Sequence, residues 1–290
     1  MISFDVEEDM AQQVDLIHDD ENFIAIAKPS GVISMPCASA SSGTAVHMAA
    51  DYLYENMRPK EADGVLKFGI VHKLDKEISG LILFAKHKKV SKILSKRFSN
   101  SEVTKKYIAI VHGQYNDSNQ KEEDEYSVLS WPVFRKSSGK AAIAVTEKDM
   151  EKAKIATTRV RVLASNSTYS MLEVEVDTDR YHQIRVHLSH AGYPLVGDSE
   201  YCFTTKTMPS GAQIQAFSPS SKGGRNMGGL WLNKYDRAML HSFSMKMTNP
   251  FSEEENLELY SLLPSDMKAL AVDLVHSCGL GDRLWHLWQN

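Results

Sequence analysis

Asp75 is the carboxylate in this sequence whose surroundings are best suited to chemistry. It lies in a polar turn with a lysine on either side, Lys73 and Lys76, and the turn leads through Gly80 into an unbroken apolar run at 81–85. An apolar run bounded by glycine predicts a buried strand, which can hold a reactive side chain rigidly at its end. A carboxylate held there could act as a nucleophile or stabilise developing positive charge. The alternative is that Asp75 only forms the turn by accepting hydrogen bonds from backbone amides.

The histidines and cysteines do not predict a metal site. His182, His187 and His190 lie close together in the sequence, but we interpret their segment as a strand, on which His182 and His187 would occupy opposite faces. The three cysteines are widely separated and form no Cys-x-x-Cys pair, which argues against a disulfide framework and a zinc site. We therefore predict no metal and no cofactor.

The periodicity of apolar residues predicts the elements that must position Asp75. Runs at 14–17 and 23–27 indicate a hairpin. Helical spacing of apolar residues indicates helices starting at Thr44, within 86–98 and following Pro264. Further strand-like runs lie at 107–111, 141–145, 156–163, 171–176 and 239–247. Many strands with few helices predict an α+β fold with a mixed, mostly antiparallel central sheet and flanking helices.

Positive charge is concentrated in one segment of an otherwise acidic chain. The formal net charge is −4, which argues against a protein that coats nucleic acid over its whole surface. Between 86 and 106, however, one acid, Glu102, stands against eight basic residues: Lys86, Lys88, Lys89, Lys92, Lys96, Arg97, Lys105 and Lys106. Such a cluster suits phosphate binding, and a solvated helix face is the alternative. The N-terminus is acidic and no apolar stretch reaches the length of a membrane span, so we expect no membrane association and a cytoplasmic location.

The segment around Asp75 resembles the signature of the RluA-type pseudouridine synthases, His-Arg-Leu-Asp-x-x-Thr-Ser-Gly-Leu-Leu-Leu-Phe-Ala-Lys. The matching residues are His72, Leu74, Asp75, Ser79, Gly80, Leu81, Leu83 and Phe84. Other family segments have counterparts in the expected order, namely Lys28-Pro29-x-Gly31, Lys105-Lys106-Tyr107-Ile108-Ala109, the run 178–188, the run 195–201 and Leu240-His241-Ser242. The resemblance extends from about Val14 to Pro250.

This resemblance implies a pseudouridine synthase fold with a central RNA-binding cleft, and it assigns roles to three residues. Asp75 would be the catalytic carboxylate, Tyr107 would stack on the uracil and serve as an acid or base, and Arg185 would pair with Asp75. Lys73 would fill the gap left by a flipped nucleotide, where the family has arginine. Further substrate or RNA contacts are expected at His72, Lys105, Lys106, Arg180, His182, Gln183 and Leu240, and at Lys86, Lys88, Lys89 and Lys92.

The expected organisation is an N-terminal extension at 1–13, a catalytic domain at 14–250 with insertions at 116–126 and 204–229, and a C-terminal helical tail at 251–290. The expected partner is RNA, either tRNA or rRNA, with no obligatory protein partner. Lys73, Ile78 and Asp179 depart from the family pattern. These departures leave one alternative open, an RNA-binding or RNA-chaperone protein that keeps the fold and is catalytically impaired.

Overall fold

A computed structural model of the chain describes residues 2–4, 14–38, 40–56, 66–116, 125–201, 235–251, 256–280 and 284. The chain divides into two compact units. The first unit consists of residues 1–105 and 241–262, and the second consists of residues 106–240 and 263–290.

Strands outnumber helices among the described residues. The strands are β1 (Ile2–Phe4), β2 (Leu16–Asp19), β3 (Phe23–Lys28), β4 (Leu66–Ile70), β5 (Ser79–Ala85), β6 (Thr104–His112), β7 (Ser127–Ser130), β8 (Val133–Arg135), β9 (Ala141–Ile143), β10 (Thr157–Ser165), β11 (Tyr169–Val176), β12 (Leu240–Thr248) and β13 (Asn256–Tyr260). The helices are α1 (Ala45–Asn56), α2 (Lys88–Ser99), α3 (Glu147–Met150), α4 (Gln183–His190) and α5 (Ser265–Ser277).

The sheet of the first unit is built around β5. This strand pairs antiparallel with β3 and β4 and parallel with β12, and β12 also pairs antiparallel with β13. All seven residues of β5 are buried, as the apolar run predicts. Gly80 opens this strand with a φ of +112°, and a Cβ atom there would overlap the backbone of its partner Ser242. Glycine is therefore required where β5 begins, next to the Asp75 turn.

Helix α2 covers the β4–β5 side of the first unit. Its apolar residues Val90 and Leu94 are buried in a cluster with Leu81, Leu83 and Met245, while its lysines face outwards. The helix is therefore amphipathic in the way that its sequence predicts.

The second unit contains an antiparallel sheet in the order β6-β11-β10-β7 and a separate β8–β9 ribbon. Helix α5 packs on β10 and β11, and α4 packs on β9 and β10. Val186 of α4 joins Val133, Ile143 and Tyr201 in a buried cluster. Helix α4 is thus fixed on one side by the ribbon that precedes it in the chain.

The predicted fold class is confirmed: the structure is α+β with a mixed, mostly antiparallel sheet. The hairpin, both early helices and the C-terminal helix lie close to their predicted positions. Residues 256–260, which we placed in a helical tail, form a strand. The insertions at 116–126 and 204–229 lie outside the described residues, apart from 116, 125 and 126. The predicted domain boundaries and RNA-binding cleft stay predictions.

Candidate active site

Asp75 lies in the irregular segment between β4 and β5, in the first unit. Its side chain is half-buried, whereas its neighbours Lys73 and Lys76 are exposed and Leu74 is buried. The backbone amide of Ile78 donates to the Asp75 carbonyl over 3.1 Å and closes the turn. The turn therefore presents its carboxylate at the entrance to a fully buried strand, as predicted.

A second turn, at residues 28–34, holds the Asp75 segment from outside. The ammonium of Lys28, which is 1% exposed, donates to the carbonyl of Lys76 over 3.2 Å, and the amide of Gly31 donates to the same carbonyl over 2.8 Å. The hydroxyl of Ser30 donates to the Glu77 carbonyl over 2.7 Å. These contacts tie the two residues that follow Asp75 to a strand end of the same unit.

Ser34 binds the residue before Asp75 from both directions. Its hydroxyl donates to the Leu74 carbonyl over 2.6 Å and accepts from the Leu74 amide over 3.0 Å, and Ser34 is 3% exposed. Buried backbone groups that lose such partners are costly, so the bonds restrain the backbone strongly. The peptide groups on both sides of Leu74 are consequently fixed directly before Asp75.

His72 is also part of this framework. Its Nε2 accepts a hydrogen bond from the Leu83 amide over 3.0 Å, and its ring stacks on Phe98 of α2 at 4.7 Å between centroids. The residue is buried. We therefore remove His72 from the expected set of RNA contacts and assign it to the support of the Asp75 segment.

Tyr107 and Arg185, the other two expected catalytic residues, lie in the second unit. Tyr107 is buried on β6, opposite Val174 of β11. Arg185 is buried on α4, where its guanidinium forms a bidentate ion pair with Asp198: Nε lies 2.7 Å from Oδ2, and Nη2 lies 2.9 Å from Oδ1. The carboxylate of Glu200 lies 3.3 Å from Nη2. Pairing of Arg185 with Asp75 stays a prediction.

His182 and Tyr201 extend the network around Arg185. The Tyr201 hydroxyl accepts from the Ala141 amide over 2.9 Å and lies 2.7 Å from Nδ1 of His182. Burial, followed by the charge of Arg185, lowers the pKa of His182 to about 4, and burial raises the pKa of Tyr201. Near neutral pH the imidazole is therefore uncharged, and the protonated phenol can donate to Nδ1.

A sequence model of the RNA pseudouridylate synthase family matches residues 22–190, which include Asp75, Tyr107 and Arg185. The chain belongs to this family. Members of this family are RNA isomerases. Asp198, Glu200 and Tyr201 lie beyond the matched residues.

Named relatives of this pseudouridine synthase chain cover most of its length. Ribosomal large subunit pseudouridine synthase D of Escherichia coli K12 is 30% identical over 257 residues, which are 89% of this chain and 69% of that protein. The uncharacterized RNA pseudouridine synthase YlyB of Bacillus subtilis is 30% identical over 188 residues, which are 65% of this chain and 57% of that protein. The chain thus spans between about half and two thirds of the length of these relatives.

Two solved structures share the fold of this pseudouridine synthase chain. Human RNA pseudouridylate synthase domain containing 4 matches with a TM-score of 0.63 and 22% identity, covering 91% of this chain and 93% of that one. Human RNA pseudouridylate synthase domain containing 1 matches with a TM-score of 0.59 and 19% identity, covering 92% and 98%. At these identities the likeness supports the fold alone.

The segment with the histidines corrects one prediction for this pseudouridine synthase. We interpreted residues 182–188 as part of a strand, but residues 183–190 form α4. On a helix His187 and His190 share a face, and both ring systems contact Trp131, whose carbonyl lies 3.0 Å from Nε2 of His187. Among the described residues no group of three or more potential ligands could hold a metal ion.

Some lysines of the basic cluster are exposed, and others contact neighbouring side chains. Lys88, Lys89, Lys92 and Lys96 are exposed on α2. Lys86 instead forms an ion pair with Asp19 at 2.5 Å. The ammonium of Lys105 is buried beside Phe98, and Lys106 lies 3.2 Å from Glu173.

Burial and pairing therefore narrow the expected RNA-contacting set. We leave out Lys86, Lys105 and Lys106 because their charges are engaged within the protein.

In the described part of the chain no helix is long and apolar enough to cross a membrane.

The remaining expected contacts fall into two groups. Gln183 is buried, donating to the Thr157 carbonyl and lying 2.8 Å from the Thr178 hydroxyl, and Leu240 is buried at the start of β12. Gln183 and Leu240 therefore contribute to the packing of the protein. Arg180 is partly exposed, and its Nε donates to the Ile155 carbonyl over 3.1 Å. Contact between Arg180 and RNA stays a prediction.

Sequence reasoning assigned no role to Ser34 or Asp198. Asp198 had a signal, since it lies in the run 195–201 that resembles a family segment. Ser34 had none, because a serine beyond a Lys-Pro-x-Gly turn is compatible with any loop.

Proposed function

We propose that the chain is an RNA pseudouridine synthase that isomerises specific uridines in structured RNA and uses Asp75 as its essential carboxylate. The observation that carries the proposal is the clamping of the Asp75 turn by Ser34 and Lys28, in a chain of this family. A turn without chemical duties would need no such restraint on both sides of one half-buried carboxylate. Fixing the carboxylate before substrate arrives reduces the entropy that must be lost during reaction.

The reaction defines what the site residues must do. The bond between ribose carbon 1′ and uracil N1 breaks, the base turns, and carbon 5 bonds to carbon 1′ and loses its proton while N1 gains one. Asp75 would act covalently or would stabilise positive charge at the sugar. Tyr107 would stack on the uracil and exchange the proton, and Arg185 would keep the carboxylate of Asp75 ionised. None of these steps requires a cofactor.

Access to a base in folded RNA requires flipping of the nucleotide, because a stacked base hides carbon 5 and the sugar face. Lys73 is exposed two residues before Asp75, where it can enter the vacated position. A lysine ammonium stacks less well than a planar guanidinium, so this step would depend on charge more than on stacking.

The substrate is either rRNA or tRNA, and the named relatives favour rRNA because several are called ribosomal large subunit pseudouridine synthase D. The exposed lysines of α2 would bind the phosphate backbone and make the affinity fall with salt. We place the reaction in the cytoplasm, where these RNAs are found.

Release of tritium from RNA labelled at uracil carbon 5 tests the proposal. The wild-type chain should release tritium from ribosomal or transfer RNA made in cells lacking the gene. Asp75→Asn should reduce the rate by at least about a thousandfold, the scale of losing an essential catalytic group. Asp273→Asn, an exposed change on α5, is the matched control and should leave the rate unchanged.

The alternative of a catalytically impaired RNA-binding protein rests on Lys73, Ile78 and Asp179. Binding of these RNAs without tritium release from either pool would favour it. Release of free uracil would instead indicate a glycosidase.

A further inference from the structure

A stack of three planar groups lies on the surface of the second unit. The ring of Tyr181 lies 3.7 Å from the ring of His182, with 22° between the planes. The guanidinium carbon of Arg135 lies 4.5 Å from the centroid of Tyr181. Tyr181 is 44% exposed, and Arg135 is also exposed. The expected site residues include His182 but neither Arg135 nor Tyr181.

The inner end of the stack is anchored in the buried network of Arg185. Nδ1 of His182 lies 2.7 Å from the Tyr201 hydroxyl, and the guanidinium of Arg185 lies 4.9 Å from the Tyr201 ring centroid. The backbone of His182 has a φ of +53°, which is uncommon for a residue other than glycine. Such a conformation is strained and persists where the surrounding structure requires it. Here it sets the direction in which Tyr181 leaves the start of α4.

The outer end of the stack is held by the β8–β9 ribbon. Nε of Arg135 donates to the Gly139 carbonyl over 3.1 Å, which fixes the plane of the guanidinium above Tyr181. The ribbon also exposes Lys136 and Lys140, and the run 131–145 contains no acidic residue. The carboxylate of Glu200 lies 3.5 Å from Nδ1 of His182, at the inner end of the stack. Aromatic and guanidinium planes together with positive charge are features of surfaces that bind single-stranded RNA.

We propose that Arg135 and Tyr181 form a stacking platform for an unpaired nucleobase of the RNA. The platform deepens the proposed function and rests on it for the identity of the RNA. Tyr181 lies close to Arg185 in the sequence, so a base held on the platform would be positioned relative to the start of α4. Because its groups are already ordered in the unbound protein, little conformational entropy is lost when a base stacks on it. Stacking tolerates any base, so the platform would fix register more than sequence.

Binding of a fluorescein-labelled oligouridylate of about 12 nucleotides, a length that suits such surfaces, tests the platform in the full-length protein. Tyr181→Ala should weaken binding about tenfold, the scale of one stacking contact, because it removes the ring that supports the Arg135 guanidinium on which the base stacks. The slope of affinity against salt should not change, because no phosphate contact is lost. Arg135→Lys should weaken binding although it keeps the charge, since lysine has no plane to stack. Tyr260→Ala, which removes a similarly exposed tyrosine on β13, is the control and should have no effect.

A second variant keeps the test decisive if Tyr181→Ala does not fold. Tyr181→Trp should bind with wild-type affinity, and its added fluorescence, beyond that of the four native tryptophans, should be quenched by the oligouridylate. Wild-type affinity in Tyr181→Ala, absence of quenching in Tyr181→Trp, or lack of any binding by the wild type would overturn the platform.

The outcomes separate this proposal from the proposed function. Loss of oligouridylate binding in Tyr181→Ala, without tritium release by the wild type, would support the platform and contradict the isomerase. Tritium release by the wild type with unchanged binding in Tyr181→Ala and Arg135→Lys would support the isomerase and contradict the platform.

Discussion

The turn that carries Asp75 and the helix that carries Arg185 are held in place by different forces. Around Asp75 the restraints are hydrogen bonds to backbone groups from Ser34, Lys28 and Gly31. Around Arg185 they are side-chain contacts, above all the bidentate pair with Asp198. The first arrangement fixes the backbone on either side of Asp75 through neutral groups and one ammonium. The second fixes a charged side chain directly and depends on each partner keeping its charge.

The largest effect on stability should follow from breaking the charged arrangement. Asp198→Asn leaves the guanidinium of Arg185 buried without its principal counter-charge, because both residues are at most 3% exposed. Removing one partner of a buried pair costs about 3–5 kcal/mol. Urea unfolding should show a loss in this range, together with strongly reduced tritium release.

A matched pair in the same unit serves as the control for Asp198. Arg237 and Asp266 form the same bidentate geometry at 2.6 and 2.9 Å, but Asp266 is 41% exposed at its side chain. Burial works to raise the pKa of Asp266, yet the hydrogen bonds and charge of Arg237 outweigh it and the pKa is lowered. Asp266→Asn should cost less because water screens the guanidinium. If Asp198→Asn and Asp266→Asn lost equal free energy of unfolding, the deeper burial of the Arg185–Asp198 pair would have no effect on its contribution to stability.

Breaking the hydrogen bonds between Ser34 and Leu74, next to Asp75, should cause a smaller loss of stability but a large loss of activity. Ser34→Ala leaves the amide and carbonyl of Leu74 without their hydroxyl partner, which costs about 2 kcal/mol. Tritium release should show a fall in kcat that exceeds the change in KM, since the position of Asp75 is affected more than RNA binding.

Ser242 provides the comparison for Ser34. Its buried hydroxyl donates to the Leu81 carbonyl over 3.1 Å, in the same unit but within the sheet. Ser242→Ala should lower stability without the selective fall in kcat. If both serine variants change kcat and stability alike, Ser34 has no special positioning role.

The smallest change in stability at neutral pH should come from a substitution of His112, a buried histidine at the end of β6. Among the described residues neither ring nitrogen has a hydrogen-bond partner, and burial lowers the pKa of His112 to about 4 from the ordinary 6.5. The unfolded chain therefore binds a proton near pH 6.5, whereas the folded chain binds it only near pH 4. The resulting stabilisation is present above pH 6.5 and is lost as the pH falls towards 4, in total about 3 kcal/mol.

Replacing His112 by an apolar side chain of similar size tests this linkage. His112→Leu should raise the stability at pH 7 by about 1 kcal/mol, because an unsatisfied polar group is removed. It should also flatten the loss of stability between pH 6.5 and 4 in urea unfolding. His276→Leu changes an exposed histidine on α5 and should leave that pH dependence as it is. An unchanged acid slope in His112→Leu would show that other groups cause it.

Local patterns predicted the elements that border Asp75 because each of these elements has one dominant environment. Strand β5 is buried on both faces and reads as an unbroken apolar run, and α2 has one lysine face and one apolar face. Helix α4 has neither property, since residues 183–188 are all buried. Its alternating Ile184, Val186 and Leu188 imitate the period of a strand, so only tertiary contacts decide in favour of a helix.

The site was predictable as far as its residues carry a motif. Asp75, Tyr107 and Arg185 could be named because their segments resemble those of a family. Ser34 and Tyr181 could not, because their significance depends on what lies beside them in space. The burial of Lys105 against Phe98 was hidden for the same reason, since lysines of a basic cluster look alike in sequence.

Mapping of pseudouridines at single-nucleotide resolution, in RNA from cells with and without this gene, tests the account most directly. At least one pseudouridine in ribosomal or transfer RNA should disappear when the gene is removed. The wild-type gene should restore it, and a gene encoding Asp75→Asn should not, even when both proteins accumulate to equal levels. Restoration by Asp75→Asn, or an unaltered pseudouridine map after removal of the gene, would contradict the account.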